Sequence, residues 1–307
     1  MTHPLLTHLL DYAGLFPPAS LPLDAAIRNF TSYLDEAEAP MLARFIISAR
    51  RLPELTALAE YFPPALTIAA LGRGGGTREA CLAGLDADLA EIEIFRQTHG
   101  PRVQVDAFET ALPAGELDFQ IRADTLIHAT ADALHRAGLT LFAETPPSEL
   151  WQERAARLIT ALSRTAIPMA GFKLRTGGVE AHQFPSPETV AWAISACRDS
   201  AVPLKCTAGL HHPIRHYNAS VQTKMHGFLN VFGAAILAEA HNLTPAELIP
   251  ILTDEESANF TLDDDGFGWK HLRATNQQIA VSRRAAVSFG TCSFDEPRED
   301  LMALGLL

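Results

Sequence analysis

Ala170-Gly171-Phe172-Lys173-Leu174-Arg175-Thr176-Gly177-Gly178 reads as a short apolar strand that ends in charge and glycine. Pro203-Leu204-Lys205-Cys206-Thr207-Ala208-Gly209 repeats the design one unit later. Between them Pro187–Asp199 has helical periodicity, with Ser186 placed to cap it and Pro187 suited to its first turn. Strand, helix, strand at this spacing is the signature of a parallel sheet.

Working outward, apolar runs predict further strands near Leu9–Tyr12, Ala43–Ser48, Leu66–Leu71, Val103–Phe108 and Leu139–Glu144. Helical patterns separate them over Leu23–Asp35, Pro53–Tyr61, Arg78–Gln97, Ala123–Arg136 and Ser148–Ser163. The strands are apolar on both faces, as strands covered outside by helices and inside by a barrel core must be. Seven such units plus one closing strand predict a (β/α)8 TIM barrel spanning residues 1–307 as a single domain. The favoured closing strand is Ala286–Thr291, which makes residues 212–285 a helical insertion between strands seven and eight. Helices are expected there over Val221–His241, Pro245–Leu252 and Lys270–Arg284. Gly227–Val231 competes as the closing strand, with the remainder as a C-terminal extension.

The chain has 307 residues, 48% hydrophobic and 20% charged, which suits a large buried core. A net charge of −12 disfavours nucleic acid and anionic membranes as partners. Four cysteines without a CxxC pair suit reduced thiols, and no signal peptide or membrane span is evident; a soluble cytoplasmic protein is expected. Exposed helices of the insertion offer surfaces for a homo-oligomer.

In a parallel barrel the chemistry sits at the C-terminal strand ends. The polar residues expected there are Asp11, Asp106 followed by Glu109, Glu144, and the two lysines. Lys205 follows Lys173 by 32 residues, one βαβ step, so both side chains should project into one mouth. Lysine is rarely buried without a partner or a task. Two ammonium groups about 6 Å apart at an effective dielectric of about 20 repel by roughly 2.8 kcal/mol, about two pK units. That would bring one lysine towards a neutral amine able to attack a carbonyl. The alternative is that both bind an anion as point charges, or pair with Asp106 and Glu144.

The pair Phe172-Lys173-Leu174-Arg175-Thr176-Gly177-Gly178 and Leu204-Lys205-Cys206-Thr207-Ala208-Gly209 resembles the strand-six and strand-seven signatures of deoxyribose-phosphate aldolases and related class I aldolases. Weaker echoes stand at Leu9–Leu15 and Ser288–Ser293. The likeness covers patches at strand ends, about an eighth of the chain. It implies that Lys173 forms a Schiff base, Lys205 tunes it, and Asp106 relays protons. Arg175 between the lysine and Thr176, the histidines after strand seven and the long insertion depart from that pattern.

His211-His212-Pro213-Ile214-Arg215-His216 forms a second constellation. His211 and His212 could ligate a divalent metal such as zinc, completed by Glu144 or Asp11. Otherwise the loop binds substrate, with a histidine as acid or base and Arg215 on a carboxylate or phosphate. Gly72–Gly76 reads as an anion cradle or a plain turn, and His226 with Asn230 as a structural pair. Asp263-Asp264-Asp265-Gly266 reads as a solvated turn. Cys206 and Cys292 read as packing residues without an assigned base.

The leading expectation is therefore a carbon–carbon lyase acting on a small anionic metabolite without a cofactor. Lys173, Lys205 and Asp106 would be catalytic. Arg175, Thr176, Gly177, Thr207, Gly209, His211, His212, Arg215, Asp11 and Glu144 would bind substrate. A metal-dependent lyase or isomerase, and a non-catalytic small-molecule-binding barrel, are the rivals.

Overall fold

A computed structural model describes residues 2–165 and 170–307. The barrel strands are β1 (Leu10–Tyr12), β2 (Leu42–Ser48), β3 (Leu66–Leu71), β4 (Val103–Ala111), β5 (Thr140–Glu144), β6 (Ala170–Arg175) and β7 (Leu204–Thr207). The intervening helices are α1 (Leu23–Tyr33), α2 (Leu52–Thr56), α3 (Arg78–His99), α4 (Gln120–Arg136), α5 (Trp151–Ser163) and α6 (Pro187–Asp199). Thr77 and Ser186 cap α3 and α6 by accepting from Ala80 N and Thr189 N. The helix expected over Pro53–Tyr61 is shorter: α2 stops at Thr56 and a 3-10 turn follows, ahead of Pro63-Pro64.

Beyond β7 come a hairpin, β8 (His216–Asn218) with β9 (Thr223–Met225), then α7 (Phe228–His241) and α8 (Pro245–Thr253). A three-stranded antiparallel sheet follows, β10 (Phe260–Asp263), β11 (Gly266–Trp269) and β12 (Leu272–Thr275), then α9 (Asn276–Ser282). β13 (Ala286–Thr291) and α10 (Asp295–Ala303) end the chain's elements. β13 is the closing strand: it pairs in parallel with both β1 and β7, and the eight strands form one closed barrel. Gly227–Val231 instead supplies the cap and first turn of α7.

The segment expected to be purely helical is mixed. Asp263 Oδ1 accepts from Asp265 N (3.0 Å) and Gly266 N (3.2 Å), which makes the acidic run a hairpin turn. β11 is buried along its length, and Phe267 lies against Gly233 of α7, where a Cβ would stand 2.3 Å from the ring. Gly233 thus leaves room for the Phe267 ring where β11 meets α7. The helix expected over Lys270–Arg284 begins only at Asn276, where Thr275 and Gln278 form a capping box.

Inside the barrel, Ile46, Ala69, Ala107 and Phe142 pack together below the mouth. β4 carries a bulge: Ile68 pairs with Val105, but Ala69 pairs with Ala107, leaving Asp106 as the extra residue. The bulge resets the alternation of β4, so Ala107 and Glu109 face inward beyond it.

Candidate active site

Lys173 and Lys205 are paired residues of adjacent strands, so their side chains rise together from β6 and β7. Both are buried, Lys205 completely and Lys173 at 6% exposure. Glu109 stands between them, Oε2 at 2.9 Å from Lys173 Nζ and Oε1 at 2.8 Å from Lys205 Nζ. Glu144 Oε1 lies 3.1 Å from Lys173 Nζ. On the far side Lys205 pairs with Asp11, whose Oδ2 also accepts from Ser288 Oγ at 2.7 Å. The network places two ammonium groups among three carboxylates, with the desolvation of each charge offset by its neighbours.

These contacts set the protonation states. Burial opposes the charge on Glu109, but the two ammonium groups override it and hold the carboxyl at about 2. Burial likewise disfavours the Lys173 ammonium, yet Glu109 and Glu144 raise its pKa above the ordinary lysine value. The expectation of a lysine depressed by its neighbour is corrected here. Repulsion between the ammonium groups is outweighed because a carboxylate is inserted between them.

Asp106 does not reach the lysines. At the bulge it takes a bidentate contact from Arg44 (Nε–Oδ1 2.7 Å, Nη2–Oδ2 2.8 Å), and Arg44 Nη1 lies 3.7 Å from Asp11. Glu109, three residues on, holds the position between the lysines that was expected for Asp106. Of the residues in this network the sequence pattern did not mark Arg44, while Glu109 and Ser288 stood at their strand ends without an assigned role. Glu109 is the last acidic residue of an apolar strand, but the bulge that turns it inward has no sequence signature here.

A cavity of about 430 Å³ opens at the C-terminal end of the barrel, with Lys173, Glu109, Glu144, Arg175, His211 and Cys292 in its wall. Thr207 also lines it. Lys205, with no exposed surface, lies behind Lys173. A second cavity of about 550 Å³ shares Glu144, Arg175 and Gln183 with the first, so Arg175 stands where the two meet.

Thr176 is fully buried and ties the ends of β6 and β7 together, its Oγ1 donating to Ala208 O at 2.6 Å. Gly177 and Gly209 touch backbone to backbone: a Cβ on either would lie 2.7 Å from the other's Cα. Gly209 also has φ +75°, a conformation suited to glycine. These three residues shape the mouth without lining the cavity.

The histidine loop divides. His211 turns into the cavity wall, with Nδ1 2.9 Å from Glu296 Oε2. His212 turns away, with Nδ1 2.5 Å from Asp300 Oδ2 and its ring edge-on to His216, in a separate cavity that Arg215 also lines. Arg215 Nη1 donates to His226 Nδ1 at 3.1 Å, while Asn230 Oδ1 accepts from Arg215 N at 2.8 Å. The two residues offered for a metal thus face different spaces, and among the described residues no cluster of three or more His, Cys, Asp or Glu is arranged to hold an ion. In the glycine-rich turn, Asp88 accepts from Arg73 N at 2.7 Å and meets the Arg73 guanidinium, so the chain's own carboxylate takes up that turn.

No protein-family model matches the chain, and no curated protein matches it. Among solved structures it is similar to the tetrameric deoxyribose phosphate aldolase from Aeropyrum pernix, with a TM-score of 0.52 and 12% identity over 98% of this chain and 93% of that one. The spore cortex-lytic enzyme SleL of Bacillus megaterium aligns at a TM-score of 0.42 and 9% identity, over 97% and 73% of the two chains. The (β/α)8 barrel is thus shared with an aldolase. Among the described residues no helix is long and apolar enough to cross a membrane.

Proposed function

We propose that the chain is a carbon–carbon lyase that acts on a small anionic carbonyl compound through a Schiff base on Lys173. The observation that carries this reading is the asymmetry of the lysine pair: Lys173 lines the cavity, while Lys205 is sealed behind it. Lys173 is an ammonium at rest, so its proton must leave first. Glu144, 3.1 Å away and in the cavity wall, is placed to take it. The free amine then adds to the substrate carbonyl, and Glu144 returns the proton as the carbinolamine expels water. The resulting iminium draws in the electron pair of the neighbouring carbon–carbon bond, which breaks as the substrate hydroxyl loses its proton.

Glu109 and Lys205 act through Lys173. Glu109 fixes the direction of the amine, and Lys205 keeps Glu109 ionised. Arg175, at the junction of the two cavities, is the proposed grip for the anionic group, with His211 opposite. The shared barrel with an aldolase is consistent with this chemistry, and the tetrameric state of that neighbour supports assembly of this chain into a homo-oligomer. Four free cysteines accord with a cytoplasmic location.

Borohydride reduction in the presence of small phosphorylated or carboxylated aldehydes and ketones tests the proposal. Peptide mass spectrometry should place the adduct on Lys173, among the four lysines of the chain. Substrate turnover with no adduct, or undiminished turnover in Lys173→Ala, would refute it. A second reading rests on the raised pKa of Lys173: the ammonium stays charged and polarises a carbonyl while Glu144 moves the proton, as in an enolising isomerase. Turnover without trapping, lost in both Lys173→Ala and Glu144→Gln, would select that reading.

A further inference from the structure

The cavity wall holds a second group of reactive side chains, of which the lysine chemistry uses only His211, as a substrate contact. Cys292 directly follows β13, and His211 lies in the loop after β7. The two strands are paired neighbours, so thiol and imidazole reach the same stretch of wall. Cys292 and His211 both line this cavity, and Cys292 is among the groups that raise the His211 pKa. His211 Nδ1 lies 2.9 Å from Oε2 of Glu296, in the first turn of α10. Cysteine, histidine and carboxylate in series are a nucleophile, the cation that favours its thiolate and the group that orients that cation.

All four thiols are buried, and the other three lie outside this wall. Burial pushes Cys206 up to about 12 and also raises Cys81 and Cys197. None of the three lines the main cavity among the described residues. Burial opposes the charge on the imidazolium, but Cys292 and the hydrogen-bonded Glu296 carboxylate bring His211 up to about 9. An imidazolium beside sulfur is the setting in which a thiolate forms at neutral pH.

We propose that Cys292, His211 and Glu296 form a reactive thiol centre in the wall of the cavity, which takes small uncharged carbon electrophiles. The Cys292 thiol gives up its proton to solvent beside the His211 imidazolium, and a sulfur lone pair forms the new sulfur–carbon bond. The leaving group departs with its bonding electrons, and His211 keeps its proton throughout. The centre is independent of whether Lys173 forms a Schiff base, so the two readings fail separately.

The test is iodoacetamide labelling of the intact protein from pH 6 to 9, followed cysteine by cysteine with peptide mass spectrometry. Cys292 should be carbamidomethylated at least about tenfold faster than Cys81, Cys197 and Cys206 at pH 7. His211→Asn should slow Cys292 by about tenfold and shift its pH profile towards that of a free thiol, while Glu296→Gln slows it by about threefold. Labelling of Cys292 no faster than the other three would overturn the proposal. If His211→Asn misfolds, shown by labelling of all four cysteines, the half-exposed Glu296 decides: an unchanged rate in Glu296→Gln then overturns it.

Discussion

Replacing Glu109 by glutamine removes the charge that bridges both lysines while keeping the shape of the side chain. Its oxygens lie 2.9 and 2.8 Å from the two ammonium nitrogens. At an effective dielectric of about 20, each contact represents roughly 6 kcal/mol of Coulomb attraction. The glutamine oxygen and the remaining carboxylates, Glu144 and Asp11, recover part of this, so about half of one contact is a conservative net loss. That is about 3 kcal/mol at Lys173, or a fall of about two pK units. The assay is borohydride trapping of a saturating aldehyde on Lys173 as a function of pH. The pH of half-maximal trapping should fall by about two units, and trapping at pH 8 should rise. Folding stability should fall by about 3–5 kcal/mol in urea, because two buried ammonium groups lose a partner. A trapping profile that stays in place, or moves to higher pH, would refute the claim that Glu109 governs Lys173.

Acid should weaken the same network. Glu109 has its pKa lowered from 4.5 to about 2 on folding, so its contribution is fully present above about pH 4.5 and lost as the pH falls towards 2; a urea midpoint that is flat across that window would contradict this. Lys205→Met should leave Lys173 trappable but lower turnover by about tenfold or more, since Glu109 loses its second partner; unchanged turnover would deny Lys205 a positioning role. EDTA dialysis should leave turnover unchanged, whereas loss restored by zinc would favour the metal-assisted rival. Gly233→Ala should destabilise the protein by about 1–3 kcal/mol through the clash with Phe267, without altering Lys173 trapping; an unchanged melting temperature would show that β11 yields easily.

The barrel was legible because its evidence is local. Apolar strands of three to nine residues alternate with helices, two of them capped by Thr77 and Ser186, and these periodicities are local to one sequence. The lysine pair was legible for the same reason: equal offsets within two successive units place two side chains on neighbouring strands at matched height. The three-stranded sheet after α8 was not legible, because its β11 is buried only once α7 offers Gly233 to Phe267. Periodicity there fits a helix as well as a short strand.

What the sequence by itself determined is the architecture, the end of the barrel that carries the site, and the presence of two lysines in it. What only the tertiary structure decided is the company those lysines keep. One bulged residue at Asp106 changes which side chains of β4 face inward, giving Glu109 to the lysines and Asp106 to Arg44. Loop directions likewise separate His211 from His212 and bring Cys292 and Glu296 to the former. The reason is physical. Strand and helix periods are properties of neighbouring residues, but charge states depend on distances of a few ångströms between residues far apart in the chain, and a single register step changes every one of them.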